Sequence, residues 1–249
     1  MQSDKAYIRV ENTLQALQRL AAYYRSQFTI PLIGVTGSVG KSSTKEMVAA
    51  ALSGALCVHK TGGNFNSQIG LPLTMFRLEP EHEVAVIEMG MSDFGEMARL
   101  SKIASPNYAV ITNIGISHIE QLHTKENIRT EKLHITDSFN HNSVLFLNGD
   151  DELLANLEGK LPYRCVFFGT NDNCDYRAKE IQMKENFTRF LLVSQQETQE
   201  VELPVLGLHN VYNALAAIAV ADTLNIKRTD SIAALKKYCP PVMLSLIHI

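Results

Sequence analysis

The chain has 249 residues, of which 45% are hydrophobic and 20% are charged, and its formal net charge is −3. This length suits one large domain or up to two smaller ones, with enough apolar residues for a sizeable core. The near-neutral charge excludes a nucleic-acid footprint, and no apolar run approaches the roughly 20 residues of a membrane span.

Strands and helices are predicted to alternate along the first two thirds of the chain. Apolar residues three and four apart predict an opening helix at residues 14–24. Further helices are predicted at residues 41–52, 69–78, 95–103 and 125–139. Short apolar runs predict strands at residues 30–35, 55–58, 84–88, 108–112, 143–147 and 165–168. Parallel strands joined by helices are the simplest account of this alternation.

The pattern changes near residue 175. Residues 175–204 have the pattern of short antiparallel strands, interpreted as a small β layer attached to the main sheet. Residues 209–224 and 231–238 predict two more helices. The expected fold class is therefore α/β, a mostly parallel sheet that carries a phosphate loop and is flanked by helices, with a small antiparallel β layer.

The segment TGSVGKSS, residues 36–43, is the strongest chemical signal. Its glycines let several backbone N–H groups face one anion, and the following helix adds its dipole. Lys41 is expected to reach the β- and γ-phosphates of a nucleotide, and Ser42 to ligate Mg²⁺. Val35 stands where the strict phosphate-loop pattern has glycine, so the loop is a variant form. A glycine-rich turn with a surface lysine is the alternative.

Five other positions are candidates with open alternatives. Glu88 ends a predicted strand, where the residues weigh a metal ligand and a solvated carboxylate equally. His118 comes just past another predicted strand, and a lone histidine there is more often structural than a metal ligand. Lys132 lies in a predicted helix, where the residues alone favour a solvated lysine. Asn210 and Asn213 fall one helical turn apart and suit contacts with a base, although Asn210 also suits a helix cap.

Five motifs occur together in this order: TGSVGKSSTKEM, GNFNSQIGLPLT, VIEMGM, ITNIGISH and GLHNVYNALAA. This set resembles the Mur ligases, the ATP-dependent amide-bond ligases of peptidoglycan synthesis, over residues 13–241. The resemblance implies the cofactors ATP and Mg²⁺ and an acyl-phosphate intermediate. The segment GNFNSQIGLPLT favours UDP-N-acetylmuramoyl-tripeptide and D-alanyl-D-alanine as substrates.

The resemblance also assigns roles to individual positions. Lys41, His118 and Lys132 match catalytic positions, and relatives carry a carbamylated lysine at the position of Lys132. The implied nucleotide-binding residues are Thr36, Gly37, Ser38, Val39, Gly40, Lys41, Ser42, Ser43, Asn210 and Asn213. The implied metal ligands are Ser42, Glu88, His118 and Lys132, and the implied substrate-binding residues are Thr61, Asn64 and Asn66.

Departures from the family pattern define the expected domains. Ser42 and Ser43 replace a commoner Thr-Thr pair, which keeps the hydroxyl groups. The family has three domains, so residues 1–28 are expected to be a linking helix or remnant of a UDP-substrate domain. Residues 29–239 are expected to form the central ATP-binding domain. Residues 240–249 are expected to be the truncated start of a C-terminal domain or an artefactual tail, with a buried terminal strand as the alternative.

The remaining expectations concern partners and location. Four separated cysteines without zinc-ligand spacing and a polar N-terminal segment indicate a cytoplasmic chain. We expect a monomer that binds no nucleic acid and does not complete ligation alone. The alternatives are another Mur ligase, a folylpolyglutamate synthase-like ligase, or an ATP-binding module without catalysis.

Overall fold

A computed structural model describes residues 7–194 and 197–240. The first six residues of the predicted linking segment and residues 241–249 of the predicted tail lie outside the described residues. The described helices are α1 (Thr13–Arg25), α2 (Lys41–Ser53), α3 (Gly70–Met75), α4 (Glu96–Ala104), α5 (Ile119–Leu122), α6 (Lys125–Leu133), α7 (Glu152–Ala155), α8 (Leu208–Thr223) and α9 (Arg228–Leu235). The strands are β1 (Leu32–Thr36), β2 (Val58–Lys60), β3 (Val84–Glu88), β4 (Tyr108–Ile111), β5 (Val144–Asn148), β6 (Arg164–Gly169), β7 (Tyr176–Met183), β8 (Thr188–Ser194) and β9 (Thr198–Leu203).

All nine described strands form one sheet in the order β2-β3-β1-β4-β5-β6-β7-β8-β9. In this spatial order, every neighbouring pair from β2 through β1 to β7 is parallel. The pairs β7–β8 and β8–β9 are antiparallel. The expected α/β fold class is therefore confirmed. The antiparallel strands extend the main sheet at one edge, where two residue pairs join β7 to β6.

Helices cover both faces of the sheet. Alternate residues of β1 enter two separate cores, with Ile33 and Val35 on one face and Leu32 on the other. Helices α2, α8 and α9 pack on the first face, and α1, α3 and α4 pack on the second. Because both faces are covered, β1 and β3 are buried along their whole length.

The strand order determines where a ligand can bind. Strand β1 lies between β3 and β4, and their carboxyl ends meet at one edge of the sheet. The connections from β1 and β4 leave in opposite directions, which opens a crevice at this edge. The phosphate loop begins at the last residue of β1, Glu88 is the last residue of β3, and residues 112–118 follow β4, so all three lie at this edge.

Local boundaries differ from the predictions in a few places. The helix predicted at residues 125–139 ends at Leu133 and continues as a single 3-10 turn, His134–Thr136. The strand predicted at residues 55–58 begins only at Val58. The short helices α5 and α7 were not predicted, because one turn gives no apolar periodicity. Within residues 7–194 and 197–240, no helix has the length and apolar character needed to cross a membrane.

Candidate active site

The phosphate loop (residues 36–43) connects β1 to α2 and presents backbone N–H groups at the helix start. Gly37 and Gly40 have φ values of 150° and 86°. A Cβ atom on Gly37 would lie 1.9 Å from Thr112 Oγ1, so the backbone approaches β4 more closely than any side chain allows. No side chain of the described residues caps α2, which leaves the N–H groups of its first turn available to an anion.

Residues that follow β4 hold the phosphate loop in shape. The Val39 N–H group donates to Asn113 Oδ1 (3.0 Å), and the Val39 carbonyl accepts from Thr112 Oγ1 (2.6 Å). The Ser38 N–H group donates to the Asn113 carbonyl (3.1 Å), and Ser38 Oγ accepts from the Gly115 N–H group (2.8 Å). The loop conformation is therefore fixed from the neighbouring strand.

Lys41 folds back over the loop. Its Nζ donates to the Gly37 carbonyl (2.9 Å) and lies 3.4 Å from the Ser38 carbonyl. Burial lowers the pKa of Lys41, and the nearby Glu88 carboxylate opposes this effect. An ammonium group held on a loop of backbone N–H groups is suited to bind the oxygens of a transferable phosphate.

Glu88, at the end of β3, is the centre of a buried polar cluster. Its Oε2 accepts from Ser42 Oγ (2.8 Å), and its Oε1 accepts from Asn66 Nδ2 (2.7 Å). The Glu88 N–H group donates to Thr61 Oγ1 (2.9 Å). Three segments therefore meet at one carboxylate: the phosphate loop, the end of β3, and residues 61–66, named here the Asn loop.

The Glu88 carboxylate and the Ser42 hydroxyl fit a Mg²⁺ ion. Proteins commonly hold Mg²⁺ through one or two carboxylates, while water and substrate phosphates fill the other positions. In the part of the chain that the structure describes, no three His, Cys, Asp or Glu side chains converge as a complete metal site. A cation at Glu88 would therefore draw its remaining ligands from nucleotide oxygens and water.

Lys132, His118 and Lys41 interact electrostatically. Burial lowers the pKa of Lys132 to about 7, the Lys41 charge adds to this effect, and Glu131 opposes it. His118 is exposed and has a positive φ of 64°. Partial desolvation lowers the pKa of His118, and the positive charges of Lys132 and Lys41 lower it further. These three basic side chains therefore lie within electrostatic range of one another.

Glu131 is a buried acidic residue that the sequence did not single out. Its carboxylate accepts from the N–H groups of Gly95 (3.0 Å) and Met97 (2.9 Å) at the start of α4. It therefore anchors α6, and with it the neighbouring Lys132, to the segment that follows Glu88. A cap contributed by a distant helix leaves no local spacing signal, which is why motif reading missed it.

The two asparagines of α8 occupy different environments. Asn213 is buried, and its Oδ1 accepts from Thr44 Oγ1 (2.7 Å), which joins α8 to α2. Asn210 is half-buried and donates to the Leu206 carbonyl (2.8 Å). Both border a cavity of about 830 Å³ that the phosphate loop also lines. This cavity has the size of a small-molecule site.

The other predicted residues are distributed unevenly. Thr61 and Asn66 contact Glu88, whereas Asn64 is exposed on the Asn loop. The Ser43 side chain makes no hydrogen bond within the described residues. Thr36 is fully buried, and its Oγ1 lacks a hydrogen-bond partner among them.

Lys45 is a second functional candidate that the sequence analysis missed. Its side chain is buried beside the cluster, and its Nζ donates to the Thr61 carbonyl (2.8 Å). The same Nζ lies 2.9 Å from Glu46 Oε1 and 4.0 Å from Glu88 Oε2. One signal could have found it, because residue 45 follows Ser42 by three positions and therefore shares its helix face.

Comparison with known proteins places this geometry in a family. The family described as "Mur ligase middle domain" matches residues 35–221. A UDP-N-acetylmuramoyl-tripeptide–D-alanyl-D-alanine ligase of Bacillus subtilis is 43% identical over 228 residues, which are 91% of this chain and 48% of the relative. The chain spans about half the length of the curated relatives it matches.

Solved structures give the same result. A crystal structure of MurF from Acinetobacter baumannii superposes with a TM-score of 0.91 at 32% identity and covers 97% of this chain and 53% of that one. The MurF ligase of Thermotoga maritima, crystallised in complex with ADP, gives a TM-score of 0.86 at 30% identity and covers 97% of this chain and 56% of that one.

Proposed function

The chain belongs to the Mur ligase family, and we propose that it is the ATP-binding part of a ligase that joins D-alanyl-D-alanine to UDP-N-acetylmuramoyl-tripeptide. The phosphate loop and Glu88, linked through Ser42, are the observation that carries this proposal. The ADP complex of the similar Thermotoga maritima ligase supports a nucleotide in the same position. We assign the nucleotide-binding role to the phosphate loop, Asn210 and the cavity beside them.

The proposed reaction begins with activation of a carboxylate. A carboxylate oxygen of the peptide substrate attacks the γ-phosphorus of ATP, ADP leaves, and an acyl phosphate forms. Lys41 and the N–H groups at the start of α2 would hold the transferring phosphate and balance its charge. A Mg²⁺ ion held by Ser42 and Glu88 would supply further neutralisation of the phosphate oxygens.

The second step forms the amide bond. The amine of D-alanyl-D-alanine attacks the acyl carbon, phosphate leaves, and the amine loses a proton to solvent. His118 and Lys132, which interact electrostatically with Lys41, are proposed to position the carboxylate for both steps. Thr61 and Asn66 belong to the loop that would present the peptide substrate, and the exposed Asn64 is proposed to contact it directly.

Lys132 is proposed to act as a carbamate. Its amine has a pKa of about 7, so much of it is unprotonated near neutral pH. That form can attack carbon dioxide, forming an N–C bond and releasing a proton, and the product is an anion. An anion at this position would complete the set of metal ligands proposed with Ser42, Glu88 and His118.

The domain division is part of the proposal. Residues 29–239 are assigned to the central domain, which agrees with the family match over residues 35–221. Since the chain spans about half of its relatives, we propose that it binds ATP but does not complete ligation alone. Four free cysteines agree with the cytoplasmic location that we propose.

Calorimetric titration of Mg·ATP into the chain tests the nucleotide site. We expect binding, and we expect Lys41→Ala to weaken it at least tenfold, or about 1.4 kcal/mol. Lys102→Ala is the matched control, because this exposed lysine lies on α4 away from the phosphate loop. A folded chain that binds no Mg·ATP would overturn the proposal.

A panel of acceptor amines tests the substrate assignment. The chain is joined to the flanking regions of a relative, and ligation is assayed with D-alanyl-D-alanine, with glutamate and with other single amino acids as acceptors. Preferential use of D-alanyl-D-alanine is expected, and a preference for glutamate would favour a folylpolyglutamate synthase-like activity instead. Ligation by the unsupplemented chain would refute the proposal that it is inactive alone.

A further inference from the structure

Lys45 places a buried positive charge between two carboxylates and a backbone carbonyl. Its Nζ donates to the Thr61 carbonyl (2.8 Å) and lies 2.9 Å from Glu46 Oε1 and 4.0 Å from Glu88 Oε2. A buried ammonium group is unfavourable unless such partners satisfy it. None of these contacts involves the nucleotide-binding backbone, so the phosphate loop does not explain why a lysine stands here.

Thr61 is the junction at which β2 becomes the Asn loop. Its N–H group donates to the Val86 carbonyl (3.2 Å), which continues the pairing of β2 with β3 by one residue. Its Oγ1 accepts from the Glu88 N–H group (2.9 Å). The remaining polar group of its backbone, the carbonyl, accepts from Lys45. Thr61 is thus fixed from β3 on one side and from α2 on the other.

The Asn loop returns to Glu88 a few residues later. Asn66 Nδ2 donates to Glu88 Oε1 (2.7 Å), and the Asn66 carbonyl accepts from the Gly90 N–H group (2.9 Å). Between Thr61 and Asn66, the Phe65 N–H group donates to the Gly62 carbonyl and the Asn66 N–H group to the Asn64 carbonyl. The Phe65 carbonyl also accepts from Thr74 Oγ1 of α3 (3.1 Å). The loop is therefore held at its two ends and, at Phe65, from α3, and among the described residues only the Lys45 hydrogen bond joins it to α2.

Helix α2 connects these contacts to the phosphate loop. Ser42 and Lys45 lie three residues apart on one face of α2, which starts at the phosphate loop. Ser42 holds Glu88, and Lys45 holds Thr61. The Ser42 and Asn66 contacts both occupy Glu88 oxygens, so a cation ligated there would compete with them. The Lys45 contact with the Thr61 carbonyl uses no Glu88 oxygen and would persist.

We propose that Lys45 is a positioning residue that ties the Asn loop to helix α2 independently of the metal site. As a consequence, the Asn loop, which would present the peptide substrate, keeps its position relative to the phosphate loop when a cation replaces the hydrogen-bond partners of Glu88. The tether itself is a property of this chain, and only its link to substrate presentation rests on the proposed function.

Hydrogen exchange of the full chain, followed by NMR or by mass spectrometry of short peptides, tests the tether. The reporters are the N–H groups of Thr61, Glu88 and Gly90, and strands β4 and β5 serve as the internal reference. In Lys45→Met we expect exchange at the reporters to rise at least about tenfold, with the reference strands unchanged. Lys45→Arg retains a charged donor and is expected to restore most of the protection.

Two measurements separate positioning from general stability. Calorimetry of ATP without Mg²⁺ is expected to give an affinity within about twofold of the parent, since Lys45 makes no contact with the phosphate loop. Asn66→Ala, which removes the side-chain amide at the other end of the loop in a half-buried position, is expected to raise exchange at Gly90 while Thr61 stays protected. This variant also preserves the test if Lys45→Met does not fold.

The outcomes are distinct. Unchanged exchange at Thr61 in Lys45→Met would overturn the proposal, as would an equal rise in β4 and β5, because a merely structural residue would loosen all elements together. If Lys45→Met does not fold, Asn66→Ala decides: loss of Thr61 protection in that variant would overturn the proposal of an independent tether. Failure of the parent chain to bind ATP would refute the proposed function, while the exchange pattern would still decide the role of Lys45.

Discussion

The Ser42 hydroxyl donates a 2.8 Å hydrogen bond to the Glu88 carboxylate, so the first turn of α2 and the end of β3 meet at one oxygen atom. The two residues are 46 positions apart in sequence, and only the pairing of β1 with β3 brings them together. This contact identifies the carboxylate beside the phosphate loop, and it separates the roles of two adjacent serines.

Ser42→Ala is expected to weaken Mg·ATP binding about tenfold while leaving the affinity for ATP in EDTA nearly unchanged. The reason is that the lost hydroxyl contacts Glu88 and would serve the cation, whereas the backbone N–H groups that hold the phosphates remain. Paired calorimetric titrations with and without Mg²⁺ measure the difference. Ser43→Ala is the matched control and should change both affinities by the same factor. A loss in Ser42→Ala that is equal with and without Mg²⁺ would contradict this assignment.

Gly37→Ala is expected to destabilise the fold by about 1–3 kcal/mol or more, since the new Cβ atom would lie 1.9 Å from Thr112 Oγ1. Urea unfolding measures this loss. Gly63→Ala provides the comparison, because Gly63 also has positive φ (50°) but a methyl group there would meet no atom within 4 Å. It should cost only about 1 kcal/mol, the strain of the left-handed backbone. Equal losses in the two variants would show that Thr112 yields easily.

His59 makes stability depend on pH below neutrality. Burial lowers the pKa of His59, and its Nε2 lies 3.0 Å from the Thr74 carbonyl, which fits a neutral ring that donates there. Because the unfolded chain binds the proton more readily, the free energy of unfolding should fall as pH drops below about 6.5 and through the folded-state pKa. Urea unfolding at about pH 7.5 and about pH 5 measures this loss.

His59→Gln keeps a donor for Thr74 but cannot titrate, so it should lose less stability than the parent between these two pH values. His141→Gln, at an exposed position, is the control and should behave like the parent. A parent and His59→Gln that respond equally to pH would assign the acid sensitivity to other groups.

Asn213→Ala is expected to lower the free energy of unfolding by about 1–3 kcal/mol, because it leaves the buried Thr44 hydroxyl without its acceptor. Asn210→Ala should cost clearly less, since Asn210 is half-buried and its amide can be replaced by water. Thermal or urea unfolding of both variants measures the difference. A larger loss in Asn210→Ala would reverse the structural roles assigned to these two side chains.

The sequence predicted those parts of the fold that local patterns determine. The buried runs of β3 and β4 and the Ala-rich helix α8 were found within one or two residues. Strand β2 was misplaced, because three residues at the edge of a sheet carry too little apolar pattern. The same limit applies to α5 and α7, each a single turn.

Residues of the candidate site were predictable where they belong to a motif. The phosphate loop and Glu88 follow strands directly, so their meeting at one sheet edge could be inferred from strand order alone. Lys45 and Glu131 were missed, since each acts on a segment that is distant in sequence, and for Lys45 only its helix face shared with Ser42 gave a signal. Only the fold brings Lys45 to the Thr61 carbonyl and Glu131 to the start of α4.

Strands β6 and β7 pair over a short stretch, which makes their junction a discontinuity in the sheet. Two residue pairs, Phe168 with Tyr176 and Gly169 with Arg177, join the six parallel strands to the antiparallel edge. Helix α8 crosses this junction and packs against β5, β6, β7 and β8. Because the strands share so short a pairing there, the packing of α8 on both sides of the junction adds apolar contact that joins the antiparallel edge to the rest of the sheet.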